Sequence, residues 1–438
     1  MRKVSVIGLG KVGLPLALAI TKGDYKVSGV DISRETVDLV SRGVIPPQIN
    51  EPGLDSLLAS ALKGGKFEAT TDARKSLSTS DIVVVIVPLK LDSENKPDFT
   101  DLDSVTKDIS ECVRPDTLVV YETTLPVGTT RNRFARIIAA GQGTPIEKIL
   151  VAFSPERIFS GAYLKTLATI PKIVGGINSN STLRTEDFYQ SFISCLTEYN
   201  NGEARIERVS DSETAEFIKI AETTYRDVNI ALANTFAMHS VSLGLDFSEI
   251  RNACNTNSFS HIHKPSIWVG GHCIPVYPRL YMTTDTKADL ISCAREINEK
   301  MPDFFVNQIM SKLGEIAGRL VLIKGITYRG NVKEVYMSGA FVLLDKISKL
   351  GARVVVEDPM YTDSELVALG FEVYNPKEVS PEVVIFHSDH SEYQDFNFAE
   401  MPHVKLFVDG RSFVRSESVS KERFFSLGSA TDSYTPSL

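Results

Sequence analysis

Val4-Ser5-Val6-Ile7-Gly8-Leu9-Gly10-Lys11-Val12-Gly13 runs from a short apolar stretch straight into three spaced glycines. Residues 4–7 read as a buried strand, Leu14 to Ile20 as a helix, and Lys26 to Val30 as a second strand ending at Asp31. A glycine pattern alone is common. One that leaves a strand, opens a helix and is followed by an acidic residue at the next strand's end points to a dinucleotide. Gly8 allows the tight turn, Gly10 lets a pyrophosphate approach the backbone, and Gly13 lets helix and strand pack closely. The helix N-terminus then faces the phosphates. Asp31 suits the adenosine ribose and would repel a 2′-phosphate, which favours NAD, while Arg34 nearby could partner such a phosphate.

Further strands are expected at 82–87, 118–121 and 149–152, with helical stretches between them. The alternation implies a parallel, doubly wound sheet filling residues 1–200. From Ser212 the spacing of Phe217, Ile220, Thr224, Val228, Ala231 and Thr235 predicts a long helix opening a helical region, 201–300. Strand patterns return at 320–326, 353–357, 383–386 and 406–408, giving a second α/β domain over 301–427 without the glycine fingerprint. The fold class is therefore α/β, two Rossmann-like doubly wound domains joined by a long central helix and helical region. The Ser/Thr-rich tail 428–438 is expected to be disordered.

The 438 residues are 43% hydrophobic and 23% charged, ordinary for a soluble protein, with a net charge of −8. No basic stripe stands out to neutralise phosphates, so nucleic acid is not an expected partner. The longest apolar run is too short to span a bilayer, so no membrane partner is expected either. The five cysteines are scattered and odd in number, which argues against a disulfide framework and for a cytoplasmic location.

Of those cysteines, Cys273 differs from the rest. It lies in Gly270-Gly271-His272-Cys273-Ile274-Pro275, where two glycines remove neighbouring side chains. A thiol beside a nicotinamide suits aldehyde oxidation: the thiolate adds to the carbonyl, and hydride loss leaves a thioester. Zinc held by His261, His263, His272 and Cys273 is a weaker reading, because the spacing matches no common site. Lys219, on the long helix, could stabilise an oxyanion. Glu156 follows a strand, where doubly wound folds place ligands, and could activate the water that hydrolyses a thioester. Equally, it could be a solvated partner of Arg157.

At this point the chain resembles the UDP-glucose/GDP-mannose dehydrogenase family over nearly its whole length. The resemblance rests on the glycine loop, Glu51-Pro52-Gly53-Leu54, Thr123 to Thr130, Ser154-Pro155-Glu156-Arg157, the Lys219 helix, Gly270 to Pro275 and Val408-Asp409-Gly410-Arg411. Its Gly-Gly-His-Cys form looks most like the branch acting on UDP-N-acetylhexosamines, UDP-N-acetylmannosamine or UDP-N-acetylglucosamine. The resemblance implies an NAD-dependent double oxidation at C6 of a nucleotide sugar through a Cys273 thioester. Catalysis would fall to Cys273, Lys219, Glu156 and Thr124. NAD would be held by Gly8, Gly10, Lys11, Val12, Gly13, Asp31, Arg34, Pro88 and Thr124. The sugar nucleotide would be held by Glu156, Arg157, Lys219, Thr223, Gly270, Gly271, Tyr277, Arg329 and Arg411. The family usually forms homodimers through its central region.

Departures from the family pattern are expected to reshape the sugar site. Tyr277 stands where aspartate is usual, Thr223 where asparagine is, and Phe259 and Tyr336 where arginines are. Trp268 adds bulk before the glycine turn. Tyr277, Phe259, Trp268 and Tyr336 are expected to line a more apolar pocket around an unchanged Cys273, Lys219 and Glu156. The alternatives are a paralogue that takes another nucleotide sugar or stops at the aldehyde, and a non-catalytic nucleotide-sugar binder.

Overall fold

The computed structural model describes residues 1–158, 161–200 and 202–427; the tail expected to be disordered lies outside them. The chain divides into two compact units. The first is Met1–Glu222 with Arg279–Thr284, and the second is Thr223–Pro278 with the residues from Asp285 onward.

The first unit is built on an eight-stranded sheet. In chain order its strands are β1 (Arg2–Ile7), β2 (Tyr25–Val30), β3 (Phe67–Thr70) and β4 (Ile82–Val85), then β7 (Leu118–Tyr121), β8 (Leu150–Phe153), β9 (Lys172–Gly176) and β10 (Ile206–Arg208), with a two-stranded ribbon, β5 (Lys90–Leu91) and β6 (Pro97–Asp98), set apart. The sheet order is β10-β9-β8-β7-β4-β1-β2-β3. Strands β3, β2, β1, β4, β7 and β8 run parallel; the central β4, β7 and β8 are buried and apolar throughout, as a sheet covered on both faces requires, while the edge strand β3 buries only Phe67.

The expectation of a parallel sheet needs one correction. Strand β9 runs antiparallel to β8, pairing Ala152 with Gly176 and Phe153 with Gly175. After β8 the chain passes through the helix Tyr163–Thr169 and re-enters the sheet from the same edge it left. Extending that register sets Lys172 opposite Glu156. The first residue of β9 therefore lies at the sheet edge where β7 and β8 end.

The fingerprint turn is held by contact. Gly8 has φ +98°, and a Cβ on it would lie 2.6 Å from the Ile86 carbonyl oxygen. A Cβ on Gly13 would lie 1.8 Å from the Gly8 carbonyl oxygen. Around Gly10 there is nothing within 4 Å, so that face of the turn is open.

The second unit carries a five-stranded, fully parallel sheet ordered β12-β11-β13-β14-β15: β11 (Leu320–Lys324), β12 (Arg353–Glu357), β13 (Val383–Phe386), β14 (Leu406–Asp409) and β15 (Phe424–Ser426). Helices Asp289–Leu313 and Gly339–Lys349 bury Met301, Phe305, Ile309, Leu343 and Ile347 against one face.

The long helix spans Ser212–Ser242. Its buried stripe is not the expected apolar one. Ile220, Thr224 and Ala231 are buried, but Phe217 is exposed, and so is Thr235. Asp227 and Asn234 are wholly buried instead. No helix among the described residues is long and apolar enough to cross a membrane.

Replacing Gly13 by alanine should lower stability by about 1–3 kcal/mol, because the new methyl overlaps a backbone carbonyl. Gly10→Ala should leave stability within about 0.5 kcal/mol while weakening NAD binding. Denaturant melts of both variants beside an NAD titration test the contrast.

Candidate functional site

Three ionisable side chains meet at the carboxyl ends of β7 and β8. Glu122 follows β7, Glu156 follows β8, and Lys172 opens β9. Lys172 Nζ lies 3.2 Å from Glu122 Oε2 and 3.2 Å from Glu156 Oε2, with side-chain exposures of 4% for Lys172, 0% for Glu122 and 12% for Glu156. Glu156 also accepts the Arg157 backbone N–H at 2.8 Å and the Tyr163 hydroxyl at 3.0 Å. Tyr189 donates its hydroxyl to Glu122 Oε1, and Lys172 Nζ sits 4.9 Å from the Tyr189 ring centre.

Burial works against the Glu156 anion, but the Lys172 charge, a hydrogen bond with Glu122 and the Arg157 N–H together outweigh it and hold its carboxyl below the usual value. Burial pushes Glu122 up to about 8, opposed by Lys172 and reinforced by the charge of Glu156. Glu156 is therefore no solvated partner of the Arg157 side chain. That guanidinium grips Glu222 instead, at 2.5 and 3.2 Å, and the Pro171 carbonyl at 3.0 Å.

Lys219 reaches the same edge. Its Nζ donates to the Glu156 backbone carbonyl at 2.5 Å. Thr124 is buried on the segment after β7, and the neighbouring Thr123 hydroxyl donates to the Val87 carbonyl at 2.6 Å, next to Pro88. Glu216 accepts the Gly128 and Thr130 backbone N–H groups at 2.5 and 2.7 Å, fixing the turn that follows Thr124. Burial pushes that carboxyl up to about 7.

The residues expected to hold the cofactor have a geometry that suits a dinucleotide. Gly10 faces open space beside Lys11 and Val12, which precede the helix starting at Gly13. Asp31 is fixed by the Leu9 and Ser33 N–H groups at 2.7 and 2.8 Å. Arg34 begins the next helix, which Ser33 caps. Ile32, wholly exposed beside Asp31, was not singled out in the sequence, yet it offers an apolar surface at the same strand end.

Within the second unit, Cys273 is exposed on a loop pinned by backbone contacts. Ile267 N–H bonds to the Gly410 carbonyl at 2.8 Å, Gly271 N–H to the Tyr336 carbonyl at 3.1 Å, and the Trp268 indole to the Met337 carbonyl at 2.7 Å. Gly270 and Gly271 lie so close to Tyr328 that a Cβ on either would come within 3 Å of it. A buried polar chain supports the approach to this loop. Arg295 binds Asp227 at 2.7 Å, Asp227 binds Asn298 at 2.8 Å, Asn298 binds Asn234 at 2.9 Å, and Asn234 accepts the Ser266 N–H at 2.8 Å.

The expected aromatic pocket is only partly formed. Tyr277 hydroxyl lies 3.7 Å from Cys273 Sγ. Tyr336 stacks on His272 with ring centres 4.0 Å apart, and Glu334 lies 3.5 Å from His272 Nε2. Trp268 instead packs with the core and against Gly339, and Phe259 is 95% exposed. Thr223 is buried. Arg411 donates to the His387 and Tyr328 carbonyls at 3.1 and 2.6 Å, and Arg329 Nε is buried without a hydrogen-bond partner among the described residues. No group of three or more His, Cys, Asp or Glu side chains suited to a metal occurs among those residues.

Comparison with known proteins gives three consecutive matches. Residues 2–193 match the NAD binding domain of the UDP-glucose/GDP-mannose dehydrogenase family, 213–300 its central domain, and 322–416 its UDP binding domain. A UDP-N-acetyl-D-mannosamine dehydrogenase of Methanococcus vannielii is 31% identical, covering 97% of this chain and 96% of its own. The structure of a UDP-D-N-acetylmannosamine dehydrogenase from Pyrococcus horikoshii superposes with a TM-score of 0.88 at 29% identity, covering 98% of this chain and all of the other. A UDP-N-acetyl-mannosamine dehydrogenase from Staphylococcus aureus gives 0.81 at 27%, covering 98% of each chain.

Asn234→Leu should strand the Ser266 N–H and an Asn298 amide oxygen, at a cost of about 1–3 kcal/mol. It should also change the alkylation rate of Cys273, because the loop loses its support. Thermal melts with peptide-level mass spectrometry of iodoacetamide labelling measure both effects.

Proposed function

Because this chain belongs to the UDP-glucose/GDP-mannose dehydrogenase family and is an NAD-dependent nucleotide-sugar dehydrogenase, we propose that it oxidises a UDP-N-acetylhexosamine, UDP-N-acetylmannosamine first, at C6. The observation that carries this reading is the Gly270-Gly271-His272-Cys273 loop pinned to the Tyr336–Met337 segment and to Gly410 in the unit that holds Arg329 and Arg411, in a chain similar over almost its full length to enzymes of that name.

In this reading residues 1–200 bind NAD, 201–300 supply the catalytic and dimer region, and 301–427 bind the UDP-sugar. NAD, when bound by these residues, would supply the hydride acceptor for both oxidations. The Cys273 thiolate adds to the C6 aldehyde to give a thiohemiacetal, which becomes the thioester as the second hydride leaves. Lys219 stabilises the oxyanion at C6. Glu156, anionic and partly exposed, takes a proton from the water that splits the thioester, and Thr124 places that water. The sulfur leaves as thiolate and the sugar leaves as the uronate. Gly8, Gly10, Lys11, Val12 and Gly13 hold the pyrophosphate, Asp31 the ribose, and Arg34 and Pro88 flank the cofactor. Arg157, Thr223, Gly270, Gly271, Tyr277, Arg329 and Arg411 hold the substrate.

The location is the cytoplasm, where five free thiols persist. The assembly is a homodimer. Tyr225, Leu232 and Phe236 leave an exposed apolar face on the helix Ser212–Ser242, spaced seven and four residues apart, as one side of a helix requires.

With UDP-N-acetylmannosamine the protein should reduce two NAD per sugar, and Cys273→Ala should lower turnover to the uronate by about 10³-fold or more. A ratio of one, or turnover that survives Cys273→Ala, would contradict the thioester route. Leu232→Glu with Phe236→Glu should convert the dimer to monomer in sedimentation velocity runs.

A further inference from the structure

We propose that Glu122 is a positioning residue for Glu156, holding the one proton that leaves Lys172 free to keep Glu156 as a carboxylate. The inference rests on the reading of Glu156 as the base that activates water. No role for Glu122 or Lys172 was read from the sequence.

The argument is a count of charges and donors. Two carboxyls and one ammonium share a site almost closed to solvent. With both carboxyls ionised, the group carries a buried net negative charge, which is costly in a low-dielectric interior. With one protonated, it is neutral. The donors decide which. Glu156 receives the Arg157 N–H, the Tyr163 hydroxyl and Lys172. Glu122 receives the Tyr189 hydroxyl on Oε1. Its Oε2 is buried 3.2 Å from the Lys172 ammonium, and the side chain shares a hydrogen bond with the Glu156 carboxylate that raises Glu122 and lowers Glu156, giving a proton on Glu122 its acceptor. That oxygen is the natural seat of the proton. Lys172, Glu156 and Tyr189 are the titratable groups that face Glu122, with Tyr163 beyond them on Glu156. Burial raises Glu122 and Lys172 lowers Glu156, in accord with this assignment.

The sign of the pH effect follows. Glu122 is neutral below about 8 and ionised above it. Its ionisation makes two anions compete for one ammonium, so the hold on Glu156 weakens and turnover falls as pH rises.

The test combines infrared spectroscopy with pH–rate profiles on the full-length protein. Glu216, Asp227 and Asp409 are further buried carboxyls with raised values, so the Glu122 band is assigned by difference. The spectrum of wild type minus Glu122→Gln should show one carboxylic acid C=O stretch below about pH 7 that is gone above about pH 9. The kcat profile of wild type should fall through a step near 8 that Glu122→Gln lacks, since the amide stays neutral. Absence of the band, or the same step in both proteins, overturns the proposal. If Glu122→Gln does not fold, Tyr189→Phe serves instead: losing the Tyr189 donor favours the protonated form, so the step should move to higher pH, and an unmoved step overturns the proposal. Glu156→Gln separates the two readings. Turnover that survives it removes Glu156 as base, while the infrared band still reports the proton on Glu122.

Discussion

A single ammonium placed between two buried carboxyl groups sets the chemistry of the first unit. Lys172 can occupy that position only because β9 runs antiparallel to β8, which brings its first residue to the edge where β7 and β8 end. In an all-parallel sheet that residue would open its strand at the opposite edge. The reversal that departs from simple doubly wound topology is therefore what allows Glu156 to stay ionised while mostly buried.

The second unit solves a different problem. An exposed thiol on a loop needs a fixed direction, and a loop has few contacts of its own. Here the direction comes from outside the loop: carbonyls of Tyr336, Met337 and Gly410 receive its donors, and Arg295, Asp227, Asn298 and Asn234 form a buried polar chain ending at Ser266. The links of that chain are each hydrogen-bonded, although Asp227 Oδ2 and Arg295 Nε are buried without a partner among the described residues, so the chain gives definition at the cost of two unpaired polar atoms.

The parts legible in the sequence were those governed by local rules. Glycines with a steric reason, strands of continuous apolar residues and the thiol turn could all be read from composition and spacing. The reversed strand could not, because strand direction depends on where a connection re-enters the sheet. The buried face of the helix Ser212–Ser242 was misread for a related reason. Asp227 and Asn234 look like solvent-facing residues until Arg295 and Asn298, about 65 residues further on, are seen to satisfy them. Phe259 and Trp268 were expected to line a pocket because they depart from the family pattern near the thiol turn, but one points to solvent and the other is held by Met337 and Gly339. Glu122 could have been noticed as an acid directly following a buried strand, which is where such sheets place ligands.

The pins between the thiol loop and the carbonyls of Tyr336, Met337 and Gly410 have a metric consequence. Arg329 and Arg411 belong to the same compact unit as Cys273, and Arg411 is itself tied to Tyr328, which abuts Gly270 and Gly271. On the proposed roles, anchor and nucleophile are graduations on one ruler, so the span from a gripped diphosphate to the attacked carbon would be a property of that single unit. A ligand one sugar atom too short or too long would meet the sulfur out of register, however well its nucleotide fits.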